Sequence, residues 1–248
     1  MAQFKLTAAF LSDIGMRRKQ NQDSGLARPD LGLFLVADGM GGHQGGEAAS
    51  KLCVEKIESH IAQYAHTQNN DTALLQQGVM IANQSIFELS QKDSSLSGMG
   101  TTTTVLKISN NLATIAQAGD SRAYYWNKDG IWQITRDHSL VQEKLRAGLI
   151  TREQVKTDDM KNVITRSVGY EMNVKTDIYT MEVEPGDHFL ICSDGLSGPV
   201  DDDLMFDILE ESAKSGLSLE DTAKRLIQKA NERGGDDNST VVLVQIDR

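Results

Sequence analysis

Residues 31–46 read Leu31-Gly-Leu-Phe-Leu-Val-Ala-Asp38-Gly-Met-Gly-Gly-His43-Gln-Gly-Gly46. Leu31–Ala37 is a nearly continuous apolar run, which predicts a strand, and it delivers Asp38 into a glycine-rich stretch, 39–46. From residue 47 to 64 the apolar positions return at helical spacing. Ala49, Leu52, Cys53, Ile57, Ile61 and Tyr64 share one face. A strand, an aspartate among glycines and a long amphipathic helix therefore follow one another directly.

Working outward, Phe4–Leu11 reads as a first strand, and a second helix covers 73–91 through Leu75, Val79, Ala82, Ile86 and Leu89. A strand meander follows: Thr101–Ile108, Leu112–Ala118 after the Asn110-Asn111 turn, then the hairpin Arg122–Trp126 and Ile131–Thr135 around Lys128-Asp129-Gly130. The polar stretch 138–165 interrupts this rhythm, with short helices expected at Ser139–Ala147 and Thr151–Val155. Strands resume at Lys175–Val183 and His188–Cys192, two helices lie near 201–213 and 218–232, and Thr240–Ile246 is a last strand. Helices come in pairs between groups of strands, without regular βαβ alternation. That pattern predicts an α+β fold: a central antiparallel β-sandwich flanked by pairs of α-helices, in four αββα layers. No repeat and no linker divides the chain, so 1–248 is expected to form a single domain with an insertion at about 138–165.

The bulk properties narrow the function. The chain carries a net charge of −10, which disfavours nonspecific nucleic-acid binding and docking on anionic membranes. No apolar run approaches the length of a membrane span. The N-terminal stretch lacks a cleavage-site pattern and reads as strand rather than signal peptide. Cys53 and Cys192 stand far apart in apolar segments, as reduced core residues of a cytoplasmic protein. Counting from Cys192, the arginine of a cysteine-phosphatase loop is replaced by Gly198, which argues against thiolate catalysis.

Aspartates recur where an apolar strand meets glycine: Asp38-Gly39, Gly119-Asp120, Asp194-Gly195, and Gly234-Gly235-Asp236-Asp237 ahead of the last strand. Asp13 and Asn21-Gln22-Asp23 follow the first strand. A single Asp-Gly is usually a turn. Four such junctions on one sandwich can gather at one rim, where their mutual repulsion calls for a hard divalent cation. A structural Ca²⁺ site is the main alternative, although the ligands here come from distant segments. A dinucleotide loop on Gly39–Gly46 fails, because Gln44 occupies the last glycine position and no GK[ST] follows.

The ordered set Arg18-Lys-Gln-Asn-Gln-Asp23, Asp38-Gly-Met-Gly-Gly, Gly100-Thr-Thr, Gly119-Asp-Ser-Arg, Asp137-His-Ser, Ser193-Asp-Gly-Leu and Asp237-Asn-Ser-Thr resembles the type 2C, metal-dependent Ser/Thr protein phosphatases. In length the chain is similar to their minimal stand-alone bacterial members, and the motifs run in family order from about residue 10 to 246. The resemblance implies hydrolysis of phosphoserine and phosphothreonine on proteins, with two core Mn²⁺ or Mg²⁺ ions and a third in bacterial relatives. It implies that Asp38 bridges both core ions, Asp194 and Asp237 complete one site, and the Gly39 carbonyl serves the other. It places a third ion near Asp120, Asp23 on metal-held water or directly on metal, and Arg18 on the phosphate. Eukaryotic members have a general-acid His directly after Asp-Gly; here Met40 stands there, and His43 is the candidate acid. Gln22 replaces a glutamate found in many members. The stretch 138–165 corresponds to the flap beside the site, with Asp137, His138 and Arg166 as structural anchors.

Expected partners are phosphorylated proteins and an opposing Ser/Thr kinase, with the chain acting as a monomer. The competing reading is a catalytically weak homologue serving as a regulatory scaffold; loss of a core aspartate would support it, and none is lost. A sensor or partner-switching phosphatase would differ in substrate only.

Overall fold

The computed structural model describes residues 4–65, 67, 70–155 and 157–247; the side chain of His43 lies outside the described residues. The first half contains β1 (Lys5–Asp13), β2 (Asp23–Arg28), β3 (Leu33–Met40), α1 (Gly42–Tyr64), α2 (Asp71–Lys92), β4 (Gly100–Thr101), β5 (Thr103–Ser109) and β6 (Leu112–Ala118). Next come β7 (Arg122–Asn127), β8 (Gly130–Gln133), α3 (Leu140–Arg146), α4 (Arg152–Val155), β9 (Asp177–Glu182) and β10 (His188–Cys192). The chain continues through α5 (Asp194–Ser197), α6 (Asp202–Lys214), α7 (Leu219–Glu232) and β11 (Ser239–Asp247).

Alternation along the strands sorts side chains into three apolar layers. Phe34, Val36, Leu106 and Ile115 point inward from one sheet and meet Phe189, Ile191, Val242 and Val244 from the other. Leu33, Leu35, Ala37 and Val105 point outward and are covered by Ile57, Ile61, Leu75, Val79 and Ile86 of α1 and α2. On the opposite outer face Leu190, Cys192, Val241 and Leu243 pack under Leu196, Met205, Leu209 and Leu226 of α5–α7. The sheets run β1-β11-β10-β7-β8 and β2-β3-β5-β6-β9, with β4 paired to β3. Every ladder is antiparallel, so the αββα sandwich expected from the sequence is the observed one.

Three local features depart from the sequence pattern. Residues 23–28 form a strand where that pattern shows no element; β2 lies on the sheet edge and alternates poorly because Gly25 sits against the Phe10 ring. β3 continues through Asp38 to Met40 rather than ending at Ala37. Lastly, α1 begins at Gly42, so the glycine-rich stretch is largely helix. Its glycines permit close approach. A Cβ on Gly39 would stand 2.0 Å from the Gly46 carbonyl oxygen and 2.6 Å from that of Gln22. Tertiary packing thereby outweighs the helix penalty of about 1 kcal/mol per glycine.

The insertion after β8 contains both expected short helices. Leu140 N–H to Val163 C=O (2.8 Å) and Thr165 N–H to His138 C=O (2.8 Å) close its stem. Cys53 and Cys192 are buried and free. No helix among the described residues is long and apolar enough to cross a membrane.

Candidate active site

The register of β2 on β3 sets Asp23 directly opposite Asp38. Like charges so placed oppose pairing, and the surroundings show how the arrangement is held. Asp23, 8% exposed, accepts hydrogen bonds at one oxygen from Ser193 Oγ and Thr240 Oγ1, each at 2.7 Å. The backbone of Asp38 is clamped from the other side. Its N–H donates to Thr102 Oγ1 (2.9 Å), and its carbonyl accepts from Thr102 N–H and Thr101 Oγ1, both at 2.8 Å. Thr101 of β4 and Thr102 just after it thus fix the backbone that carries the Asp38 carboxylate.

Asp194 opens α5 where β10 ends, and Asp237 lies in the turn before β11. Asp120, 9% exposed, follows β6 through Gly119. The buried carboxylates of this rim act on one another through their charges. Burial, then the charge of Asp23, Asp194, Asp120 and Asp237, pushes Asp38 well above the ordinary carboxylate range. Burial also raises Asp120 to about 8 with Asp194 adding to the shift, and raises Asp23 to about 7 against the two hydroxyl bonds that lower it. Asp194 is raised by burial and by Asp237, with a hydrogen bond to Asp38 in partial compensation.

The cation nearest this cluster is Arg18. Its Nη2 lies 2.6 Å from Asp237 Oδ2 and its Nε donates to the Asp236 carbonyl at 3.3 Å, with the side chain about half exposed. Nearby, Gln22 N–H donates to Asn238 Oδ1 (2.8 Å) and Gln22 Nε2 donates to the Gly42 carbonyl (2.6 Å), tying the Arg18 loop to the start of α1.

The donors fit hard divalent cations on an observation independent of any resemblance. Asp23 Oδ1, Asp120 Oδ1 and Asp194 Oδ1 are buried with no hydrogen-bond partner among the described residues. Buried carboxylate oxygens without donors are costly and suit oxygen-seeking ions such as Mg²⁺ or Mn²⁺. Among the described residues no three His, Cys, Asp or Glu side chains form a ready-made cage. In this arrangement Arg18 occupies an oxygen of Asp237.

The structure thus brings together Asp23, Asp38, Gly39, Asp120, Asp194, Asp237 and Arg18. His43 falls in the first turn of α1, its side chain outside the described residues. The sequence reading gave no role to Ser193, Thr240, Thr101, Thr102 or Asn238, which hold the aspartates and the Arg18 loop. Their signal was present in part, since Ser193 and Thr240 are hydroxyls at the ends of otherwise apolar strands. Asp137, His138 and Arg166 lie at the base of the insertion. Asp137 accepts from the Arg122 fork (2.7 Å at closest), and Asp177 from Arg166 (2.7 Å), as structural anchors do.

Comparison with known proteins agrees with this geometry. The family model for Protein phosphatase 2C matches residues 17–234. The chain is 36% identical over 245 residues to the serine/threonine phosphatase stp of Listeria monocytogenes serotype 4b, covering 97% of this chain and 96% of the relative. It is 36% identical over 242 residues to the protein phosphatase PhpP of Streptococcus pneumoniae serotype 2, covering 96% of each. The catalytic domain of the serine/threonine protein phosphatase PstP, solved with two manganese ions, superposes with a TM-score of 0.86 at 32% identity and full coverage of both chains. A sandwich with five converging aspartates at one rim, matched along its whole length, places the chain in the protein phosphatase 2C family.

Proposed function

We propose that the chain hydrolyses phosphoserine and phosphothreonine esters on proteins in a Mn²⁺- or Mg²⁺-dependent reaction. The observation that carries this is the convergence of buried, donorless carboxylate oxygens of Asp23, Asp120 and Asp194 around Asp38, beside the half-exposed Arg18. Asp38, Asp194, Asp237 and the Gly39 carbonyl would hold two core ions, with Asp120 and Asp194 at a third and Asp23 contacting metal-held water. Divalent cations there supply activation of a water and neutralisation of phosphoryl oxygens.

The protein's own groups supply the rest. The Arg18 fork matches two phosphoryl oxygens and orients the ester. Asp23 is held rigid by Ser193 and Thr240, so its free oxygen faces the cluster. His43 is the candidate donor of a proton to the leaving Ser or Thr oxygen. The reading further includes a single catalytic domain with the flap at 138–165, a monomer in the cytoplasm opposing a Ser/Thr kinase, and no nucleic-acid or membrane partner.

The test is phosphate release from an aryl phosphate and from a phosphoserine peptide, with Mn²⁺ and with EDTA. Activity with Mn²⁺ and none with EDTA is expected. Absence of activity in metal-loaded protein would favour the scaffold reading. His43→Ala should slow the phosphoserine peptide far more than the aryl ester, whose leaving group needs no proton. Equal losses would remove His43 from that role.

A further inference from the structure

We propose that Asn238 is a positioning residue for Arg18, its single amide holding the loop that carries the guanidinium. The inference rests on the phosphatase reading, in which Arg18 binds the phosphoryl group.

Residues 14–22, between β1 and β2, form neither helix nor strand, so their shape comes from bonds to other segments. Asn238 is buried, and its side chain spans the loop. Its Nδ2 donates to the Ile14 carbonyl at 2.9 Å and to the Gln20 carbonyl at 3.0 Å, and its Oδ1 accepts from Gln22 N–H at 2.8 Å. Both amide hydrogens and one lone pair are thereby used. Arg18 lies between the first two of these points. Flanking contacts run to the same turn: Met16 and Arg17 N–H donate to the Gly235 carbonyl at 2.7 and 3.2 Å. Gly15 adopts φ +78°, and a Cβ there would meet the Asp237 carbonyl oxygen at 2.3 Å.

Arg18 is half exposed, so the backbone of its loop, together with its bonds to Asp237 Oδ2 and the Asp236 carbonyl, locates it. Releasing the loop would leave the guanidinium to be ordered anew at each binding event. The amide also separates two effects. The bond that Asn238 makes to Asp237 Oδ1 comes from its backbone N–H (2.8 Å) and survives any change of side chain. Substitution at 238 therefore disturbs the phosphate grip while leaving the support of Asp237 in place.

The experiment is a double-mutant cycle of Asn238→Ala and Arg18→Ala in the full chain with saturating Mn²⁺. KM for an aryl phosphate and inhibition by orthophosphate are read together with the Mn²⁺ concentration giving half-maximal rate. Asn238→Ala should raise KM and the orthophosphate inhibition constant about tenfold, with kcat and Mn²⁺ requirement within about twofold. In the Arg18→Ala background the same change should move KM less than about twofold. Without turnover, hydrogen exchange should quicken at the amides of Met16, Arg17 and Gln22. An unchanged KM, a multiplicative effect in the Arg18→Ala background, or a shift in Mn²⁺ requirement alone overturns the proposal. If Asn238→Ala does not fold, Asn238→Ser, which keeps a small polar group but loses the paired bonds to the Ile14 and Gln20 carbonyls, is read through the same cycle with the same outcomes. A wild-type protein inactive with Mn²⁺ refutes the phosphatase reading instead, a separate result.

Discussion

Two groups of acids, one at the base of the flap and one at the rim, are built on opposite rules. At the base of the flap, Asp137 (7% side-chain exposure) receives the Arg122 fork, while Asp177 receives Arg166 and the His138 ring. His138 Nδ1 accepts from Gly119 N–H at 3.1 Å, which puts the ring proton on Nε2, facing Asp177. Burial pushes Asp177 up, yet bonds from His138 and Arg166 bring it below the usual carboxylate value. At the rim, among the described residues, Arg18 is the one arginine ion-paired to any of the five aspartates, and the pKa values of Asp23, Asp38, Asp120 and Asp194 move up, with Arg122 offsetting the rise at Asp120 and Asp194 only in part. The base stores its compensation within the chain; the rim leaves it to be supplied from outside. Burial of an acid does not distinguish structure from function; the presence of a matching cation does.

The comparison breaks most sharply on single substitutions. Asp38→Ala or Asp194→Ala should lower phosphate release by about 10³-fold or more, the scale of losing preorganised electrostatics, while the melting temperature without metal holds or rises because a repulsive carboxylate is gone. Retained activity would refute the assignment. Asp137→Ala should do the reverse, costing about 3–5 kcal/mol of stability by stranding the buried Arg122. Urea unfolding measures it, and a loss below about 1 kcal/mol would show that the base is not the anchor described.

Acidity separates the two regions by sign. Asp23 and Asp120 have folded pKa values of about 7 and about 8, above the unfolded carboxylate range. Their contribution is complete below about pH 4 and is lost as pH rises through 7 to 8. The gain in melting temperature on adding Mn²⁺ should therefore grow between about pH 5 and 8; a gain independent of pH would count against the cluster. The smallest effect belongs to His138, lowered first by burial and by Arg166 despite its bond to Asp177. Its neutral form contributes fully above about pH 6.5, and that contribution is lost as pH falls. His138→Asn, which keeps an acceptor for Gly119, should flatten the loss of stability between about pH 6.5 and 5; an unchanged slope would mean that His138 does not titrate there.

Much of this was legible in the chain. The apolar run before Asp38 and the paired helices sufficed for the αββα sandwich, and the recurrence of strand–Asp–Gly junctions pointed to the rim. What stayed hidden depends on register. β2, with Asp23, Gly25 and Arg28 in six residues, carries no alternation, and only its pairing with β3 reveals that Asp23 opposes Asp38. The start of α1 is obscured because Gly42, Gly45 and Gly46 lower helix propensity, while Gly45 and Gly46 ease contact with Met99 and Gly39. The bonds of Asn238 reach residues 216 to 224 positions away, beyond any local pattern.

The pairing of β1 with β11 has a consequence in time. Thr7 bonds Asp247 across 240 positions, and Thr240 at the start of β11 holds Asp23. Closing so long a stretch of chain is entropically costly and makes folding slow. The rim is assembled only after the most distant partners have met, so no early intermediate presents it whole. Mn²⁺ should therefore slow unfolding while leaving the refolding rate nearly unchanged, acting as a lock on a finished molecule rather than a guide to its folding.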